Sequence, residues 1–157
     1  MLRVLIADDE SKVCQLIEKL VDWGALGMEV VAVAENGIEA LEKIKEFHPD
    51  IVITDIRMPG YDGLDLIRLG KEEAPNTEFV IISGYRHFEY AQMAIRYGVN
   101  AYLLKPIRKD ELTETLKRLS AHFKEQTEQL SLEEKRQRAI RSDEKNLRQA
   151  FLQDLVG

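Results

Sequence analysis

The stretch that decides the fold is Asp50-Ile-Val-Ile-Thr-Asp55-Ile-Arg-Met-Pro-Gly60, in which an apolar run ends on a carboxylate. Ile51–Thr54 lacks the polar alternation of a half-exposed strand, so we expect a strand covered on both faces, as in a parallel sheet. Asp55 then lies at the carboxyl end of that strand, where open parallel sheets place their ligand sites. The segment therefore predicts an α/β protein with a polar site at Asp55.

Further apolar runs of this kind recur along the chain, with helical patterns between them. The predicted strands centre on residues 4–7, 30–33, 51–54, 79–82 and 101–104. Apolar residues at helical spacing predict five helices. The first has its buried stripe on Val13, Leu16, Ile17, Leu20 and Val21, and the second, on Ala40, Leu41 and Ile44, ends near Pro49. The third covers residues 64–69 and ends at Gly70, the fourth, on Phe88, Ala91, Ala94 and Ile95, ends at Gly98, and the fifth begins near Asp110. Five alternating strands and helices predict a three-layer, flavodoxin-like α/β domain with a mostly parallel sheet.

Polar residues follow four of the five predicted strands. They are Asp8-Asp9-Glu10 after the first, Asp55 after the third, Ser83-Gly84 after the fourth and Lys105-Pro106 after the fifth. In a sheet ordered 2-1-3-4-5 these four strands end near the switch point, and the second strand lies at the edge. Taken singly, each residue is an ordinary cap, turn or surface residue. The prediction of a site therefore rests on their conjunction.

The residue types in this set suit phosphoryl transfer to a carboxylate. Three carboxylates at one sheet edge repel one another and raise one another's pKa, and Mg²⁺ relieves that repulsion because it binds carboxylates together with waters and phosphate oxygens. Lys105 adds a point charge for a phosphate oxygen, and Ser83 adds a hydroxyl donor. Since the reaction needs positioning and charge neutralisation above all, Asp55 is predicted to be the nucleophile that forms an acyl phosphate.

Composition and charge exclude several other classes of protein. The 157-residue chain has 22 Lys plus Arg against 28 Asp plus Glu, a formal net charge of −6, which disfavours non-specific nucleic-acid binding by this chain itself. Cys14 is the one cysteine, so a disulfide framework within the chain is excluded and a reducing compartment is indicated. The N-terminal apolar run is too short for a signal peptide, and no stretch reaches transmembrane length. We therefore expect a cytoplasmic protein without a membrane partner.

The C-terminal region is predicted to be helical, since residues 107–156 contain no Gly or Pro and are rich in good helix formers. Spacings that alternate between four and three residues describe a heptad seam, with apolar members Leu112, Leu116, Leu119, Phe123, Leu130, Ile140, Leu147 and Phe151. Polar residues interrupt the seam at Gln126, Glu133, Gln137 and Glu144. Two interpretations stay open, a dimeric coiled coil and a solvated helix or disordered linker.

The chain is predicted to divide into a folded domain over residues 1–122 and a helical linker over residues 123–157. Apolar residues continue up to Val156. An apolar end without a partner in the chain indicates that the natural chain continues or that a partner covers it.

Four segments together carry a resemblance to a known family. They are Val4-Leu5-Ile6-Ala7-Asp8-Asp9-Glu10, the stretch from Asp50 to Gly63, Ser83-Gly84, and Ala101-Tyr102-Leu103-Leu104-Lys105-Pro106. In combination they closely resemble the receiver domain of two-component response regulators, over about residues 2–122. The resemblance implies that Asp9 and Asp55 bind Mg²⁺ directly, that Asp8 helps through water, and that the backbone carbonyl of Arg57 is a further ligand.

The same resemblance implies a conformational switch. Ser83 and Lys105 would contact the phosphoryl oxygens, and the Lys105–Pro106 bond would be cis. Tyr102 matches the aromatic residue that turns inward when the Ser83 hydroxyl moves to the phosphoryl group. The face formed by the fourth helix, fifth strand and fifth helix would then change shape. The implied partners are a sensor histidine kinase and a second copy of the chain, bound through that face or through the helical tail.

Two further segments are similar to one branch of this family. Asp22-Trp23-Gly-Ala-Leu26-Gly27 and Ser83-Gly84-Tyr85-Arg-His-Phe88-Glu-Tyr90 resemble receivers that are fused to a C-terminal AraC-type DNA-binding module. The resemblance implies a transcription regulator that contacts DNA only through that module, which this sequence does not include. Residues from about 123 would be the linker to it.

Three alternatives compete with a phosphorylated receiver. A haloacid-dehalogenase-type phosphatase places a second acid two residues after its nucleophile, where this chain has Arg57. A flavodoxin-like cofactor binder needs hydroxyl and glycine residues for the flavin phosphate in place of Asp8-Asp9-Glu10. A receiver-shaped interaction module is never phosphorylated, which the complete acidic, serine and lysine set disfavours. A receiver is not an enzyme in the usual sense, because it catalyses only its own phosphorylation and dephosphorylation.

Overall fold

The computed structural model describes residues 1–84 and 88–156, and their side chains except those of residues 88 and 141–156. The elements in chain order are β1 (Leu2–Ala7), α1 (Ser11–Leu20), a 3₁₀ turn (Gly24–Leu26), β2 (Met28–Ala34), α2 (Gly37–Phe47), β3 (Ile51–Thr54), α3 (Gly63–Glu73), β4 (Glu78–Ser83), α4 (Phe88–Arg96), β5 (Ala101–Leu104) and α5 (Lys109–Val156). The alternation of strands and helices that the sequence predicts is confirmed.

The five strands form one parallel sheet in the order β2-β1-β3-β4-β5. This is the flavodoxin-like order that the sequence predicts. The pairing of β1 with β2 shifts by one residue between Val4 and Leu5, and Ala7 then pairs with Ala34 at the carboxyl end of both strands. Asp55 follows β3 in the middle of the sheet, so the polar residues after β1, β4 and β5 lie along the same edge.

The central strand β3 is buried along its whole length, as its uninterrupted apolar run predicts. Burial of consecutive residues means that both faces of the strand are covered. On one side the buried core includes Ala40 and Ile44 of α2, Leu66 of α3 and Phe79 of β4. This packing fixes the loops at the carboxyl ends of the strands, where the site lies.

The buried face of α1 differs from the predicted stripe. Leu16 is 46% exposed, whereas Cys14 and Ile17 are each 2% exposed. The buried positions are thus Cys14, Ile17 and Val21, which follow an i, i+3, i+7 pattern. The thiol of Cys14 behaves as a small apolar group, and its Sγ lies 3.6 Å from the carbonyl oxygen of Asp8. The inclusion of Leu16 in the buried stripe was therefore wrong.

Two helices also differ in detail from the prediction. Gly70 does not end α3, which continues to Glu73, because the missing side chain lets the helix approach Phe79 and Ile44 closely. In α4, Ile95 is 71% exposed and the neighbouring Ala94 is buried, so the predicted buried position was wrong. The end of α4 is as predicted, since Gly98 has a φ of 81° and its N–H donates to the carbonyl of Ile95 at 3.0 Å.

The chain separates into two compact units, Met1–Ser120 and Ala121–Gly157. Leu112, Leu116 and Leu119 are buried in the first unit. In the second, Leu130 and Ile140 of the predicted seam are 65% and 45% exposed. The side chains of Leu147 and Phe151, also placed in that seam, lie outside the described ones. None of the helices among the described residues combines the length and apolarity needed to cross a membrane.

Candidate phosphoacceptor site

Asp55 lies directly after β3, and its side chain is held by the surrounding backbone. The residue is 6% exposed. Its N–H donates to the carbonyl of Ala7 at 3.0 Å, which ties it to β1. Its Oδ1 accepts a hydrogen bond from the N–H of Ile56 at 2.7 Å. One carboxylate oxygen is therefore fixed by the backbone, and the other, Oδ2, faces Lys105.

Lys105 bridges two acids from different strands. Its Nζ lies 3.0 Å from Oδ2 of Asp55 and 3.2 Å from Oδ2 of Asp8. Burial alone would lower the pKa of Lys105, but the hydrogen bond and charge of Asp55, followed by those of Asp8, outweigh it and raise the pKa above its ordinary value. The ammonium group is therefore charged at neutral pH. The Lys105–Pro106 bond is cis, as the resemblance implies.

Asp8 is a buried carboxylate next to another carboxylate. It is 2% exposed, and its Oδ1 accepts from the N–H of Glu10 at 2.9 Å. Burial and the negative charge of Asp55 raise its pKa from 3.8 to about 6, although hydrogen bonds from Glu10 and Lys105 act in the opposite direction. Ionising Asp8 in the folded protein therefore costs free energy, and a bound cation would offset that cost.

Carboxylate oxygens suitable for a hard cation lie around Asp8. The ligand atoms of Asp8, Asp9 and Glu10 are all within 4.8 Å of one another, and Asp9 and Glu10 are exposed. All of these donors are oxygen, which fits Mg²⁺ with its preference for a few carboxylates plus water. The sequence placed Glu10 with these acids but did not assign it as a metal ligand. Arg57, whose carbonyl is the further expected ligand, is exposed in the loop after β3.

Ser83 and Tyr102 lie together beside the acids. Ser83 ends β4 and is fully buried, while Tyr102 is half-buried in β5 and packs against the core. Burial raises the pKa of Tyr102, a hydrogen bond with Ser83 lowers it, and the charge of Asp55 raises it further. Tyr102 is thus coupled to both Ser83 and Asp55 in this conformation.

Two glycines that shape the site were not predicted to matter. A Cβ on Gly63 would collide with the carbonyl oxygen of Asp55, and one on Gly37 would collide with the carbonyl oxygen of Tyr61. Each glycine is the first residue of a helix and follows a capping side chain, Asn36 for α2 and Asp62 for α3. These cap–glycine pairs at both loops were the sequence signal that could have identified them.

The structure therefore brings Lys105 into contact with both Asp8 and Asp55. Asp9 and Arg57 are exposed, and Ser83 is hydrogen-bonded to Tyr102. The three residues 85–87 lie outside the described residues. They include His87 and the Tyr85 of the second resemblance segment.

The family is decided by comparison with known proteins. A family model described as the response regulator receiver domain matches residues 4–117. The chain belongs to this family. The resemblance noted from the sequence is thereby confirmed for the receiver.

Transcriptional regulators are among the relatives of this receiver. It is 41% identical over 126 residues to the transcriptional regulatory protein YesN of Bacillus subtilis, covering 80% of this chain and 34% of that protein. It is 36% identical over 129 residues to the transcriptional regulatory protein HptR of Staphylococcus aureus, covering 82% and 50%. The receiver thus spans between a third and a half of the length of these relatives.

Solved structures agree with the fold of this receiver. The receiver domain of AraT, a response regulator from Geobacillus stearothermophilus, has a TM-score of 0.77 and 40% identity, covering 80% of this chain and 98% of that one. A LuxR-family DNA-binding response regulator from Staphylococcus aureus has a TM-score of 0.67 and 30% identity, covering 76% and 99%. The fusion to an AraC-type module stays a prediction.

Proposed function

We propose that this receiver accepts a phosphoryl group on Asp55 from a sensor histidine kinase, with Mg²⁺ held by Asp8, Asp9, Asp55 and the carbonyl of Arg57. The observation that carries the proposal is the pair of contacts from Lys105 Nζ to Asp55 and Asp8, at 3.0 and 3.2 Å. They place a fixed positive charge beside the carboxylate oxygen that would receive the phosphoryl group. When bound, Mg²⁺ supplies further neutralisation of charge on the phosphoryl oxygens.

The transfer is a displacement at phosphorus. A carboxylate oxygen of Asp55 forms the new P–O bond as the P–N bond of the phosphohistidine breaks. The N–H of Ile56 keeps Oδ1 of Asp55 oriented, and Lys105 stabilises charge on the equatorial oxygens. Burial of Asp55 limits access of bulk water to the carboxylate. The chain catalyses only its own phosphorylation and dephosphorylation.

The phosphoryl group would act through the contact between Ser83 and Tyr102. The Ser83 hydroxyl would move to a phosphoryl oxygen, and Tyr102 would turn inward into the space that this movement opens. Because Tyr102 lies in β5, the change would reach the face formed by α4, β5 and α5. This is a two-state element biased by a local charge event.

The output would be control of transcription. The relatives are transcriptional regulators of greater length, which supports a receiver over residues 1–122 joined by a linker over residues 123–157 to a DNA-binding module of AraC type. Contact with DNA would belong to that module. The chain would work in the cytoplasm as a homodimer, formed through the α4–β5–α5 face or through the helical tail.

Intact-mass analysis tests the phosphoacceptor. With Mg²⁺ and acetyl phosphate, the protein should gain the mass of one phosphoryl group, and the gain should be lost with EDTA and in Asp55→Asn. A cognate histidine kinase should give the same result. Persistent labelling of Asp55→Asn would refute the assignment, and rapid turnover of many phosphomonoesters would favour the phosphatase alternative.

A further inference from the structure

The loop between β3 and α3, residues 56–62, is the part of the site with the least regular structure. It carries the carbonyl of Arg57, and most of its residues are exposed. At its C-terminal end the N–H of Gly63 donates to the carbonyl of Ile56 at 2.6 Å, and Asp62 caps α3. These contacts fix the two ends of the loop. Its middle, Pro59–Tyr61, needs support from elsewhere.

That support comes from the first turn of α2. The N–H of Gly37 donates to the carbonyl of Pro59 at 3.1 Å. The α-carbon of Gly37 lies against the carbonyl of Tyr61, so closely that any Cβ would collide with it. The side chain of Ile38 covers Gly60, since a Cβ built there would lie 2.8 Å from Cγ1 of Ile38. Pro59, Gly60 and Tyr61 therefore each contact Gly37 or Ile38, the first two residues of α2.

The first turn of α2 is itself rigidly placed. The side chain of Asn36 accepts from the N–H of Glu39 at 2.7 Å, which satisfies a donor at the start of the helix. Ala40 and Ile44 are fully buried in the core. Ile38 is 52% exposed, so its burial in the core contributes little, and its described packing role is to cover Gly60.

We propose that Gly37 and Ile38 are positioning residues for the Mg²⁺ site. By holding Pro59–Tyr61, they would keep the carbonyl of Arg57 oriented as a ligand for Mg²⁺. Neither residue is among the expected ligands of Mg²⁺ or the expected contacts of the phosphoryl group. This inference rests on the proposed function. It adds residues of α2 to the site, although the preceding edge strand β2 contributes no acidic residue to that site.

Calorimetric titration with Mg²⁺ alone tests the proposal without any phosphoryl donor. Gly37→Ala should weaken Mg²⁺ binding about tenfold, the lower end of the effect of removing a group that orients a metal ligand. Ile38→Ala should weaken it less, and Ile38→Val, which keeps a branched Cβ over Gly60, should restore most of the affinity. Leu16→Ala is the matched control, because Leu16 has a similar exposed fraction on another helix.

Thermal unfolding in EDTA separates positioning from folding. The unfolding temperature of Ile38→Ala should lie within a few degrees of the wild-type value, since the side chain is half exposed. The calorimetric titration is carried out well below that temperature, where both proteins are folded. If Gly37→Ala does not fold, the Ile38 series alone decides. Wild-type Mg²⁺ affinity in Ile38→Ala, or equal weakening in Leu16→Ala, would overturn the inference. A wild-type protein that binds Mg²⁺ but is never phosphorylated would instead overturn the proposed function.

Discussion

The carboxylate of Asp8 is buried beside Asp55, and its pKa of about 6 shows that its ionised form is costly in the folded protein. We expect Asp8→Asn to stabilise the protein in EDTA at neutral pH, by up to about 3 kcal/mol. Asparagine keeps the oxygen that accepts from the N–H of Glu10 and removes the charge. Urea unfolding of both proteins measures the difference. The same variant should lose Mg²⁺ binding, so stability and function would change in opposite directions.

The pH dependence of that difference follows from the direction of the shift. A carboxyl with a higher pKa in the folded state than in the unfolded state binds protons more tightly when folded. Its contribution to stability is therefore fully present below 3.8 and is lost as the pH rises to about 6. The advantage of Asp8→Asn should be largest above that window and shrink as the pH falls through it. An advantage that is independent of pH would contradict the role given to the Asp8 charge.

Lys105 is the cation that holds Asp8 and Asp55 together. Lys105→Met would keep most of the side-chain volume and leave two buried carboxylates facing each other. We expect a loss of roughly 1–3 kcal/mol in EDTA, measured by urea unfolding, and a larger recovery on adding Mg²⁺ than in the wild type. Lys117→Met, on an exposed position of α5, is the control. Equal losses in the two variants would show that the ion pairs do not stabilise the fold.

At the scale of elements, α3 continues through a glycine because of its packing against β4. We expect Gly70→Ala to destabilise the protein by about 1–3 kcal/mol, although alanine is the better helix former by about 1 kcal/mol. The added Cβ would lie 2.8 Å from Cζ of the fully buried Phe79 and 3.2 Å from Cδ1 of Ile44. Thermal unfolding measures the effect. Gly24→Ala should be close to neutral, because its added Cβ would lie 3.9 Å from Oδ1 of Asp22, an ordinary packing distance. A stabilising Gly70→Ala would contradict the packing argument.

The elements that sequence patterns predicted well are those decided by local composition. Ile51–Thr54 has three apolar residues in a row followed by a small β-branched threonine, so its burial on both faces and the place of Asp55 at its end follow directly. The buried face of α1 could not be predicted in the same way. Either Leu16 or Cys14 could face the core, and which one does depends on how the helix packs against the rest of the domain. The prediction that Gly70 ends α3 was wrong, and the role of Gly37 was missed, for a related reason. Their close neighbours, Phe79 and Tyr61, belong to other segments of the chain.

At the scale of the whole molecule, the chain combines a sheet-centred unit with a helical one. In Met1–Ser120 the buried members of the predicted seam, Leu112, Leu116 and Leu119, have an intramolecular role. Leu130 and Ile140, farther along the seam, are exposed. Its members beyond Ser120 are the ones that a second copy of the chain would cover.

Self-association through the helical unit gives the last prediction. Leu130 and Ile140 lie on the heptad seam, whereas Leu132 lies off it with the same 65% exposure as Leu130. Phosphorylation of the wild type should promote dimers in sedimentation experiments. Leu130→Glu and Ile140→Glu should each weaken them about tenfold or more, because burying a leucine or isoleucine contributes about 1.5–3 kcal/mol and about 1.4 kcal/mol corresponds to tenfold in affinity.

Leu132→Glu is the matched control for that experiment. Glutamate is a good helix former, so all three variants should keep their helix content by circular dichroism, and only the seam variants should lose dimers. Equal weakening by Leu132→Glu would mean that exposed apolar surface, not the seam, drives association. A wild-type protein that stays monomeric in both phosphorylation states at high concentration would contradict dimerisation, and the helical unit would then act as a linker alone. Dimers that survive both seam substitutions would assign the interface to the α4–β5–α5 face, where Tyr102 could control it directly.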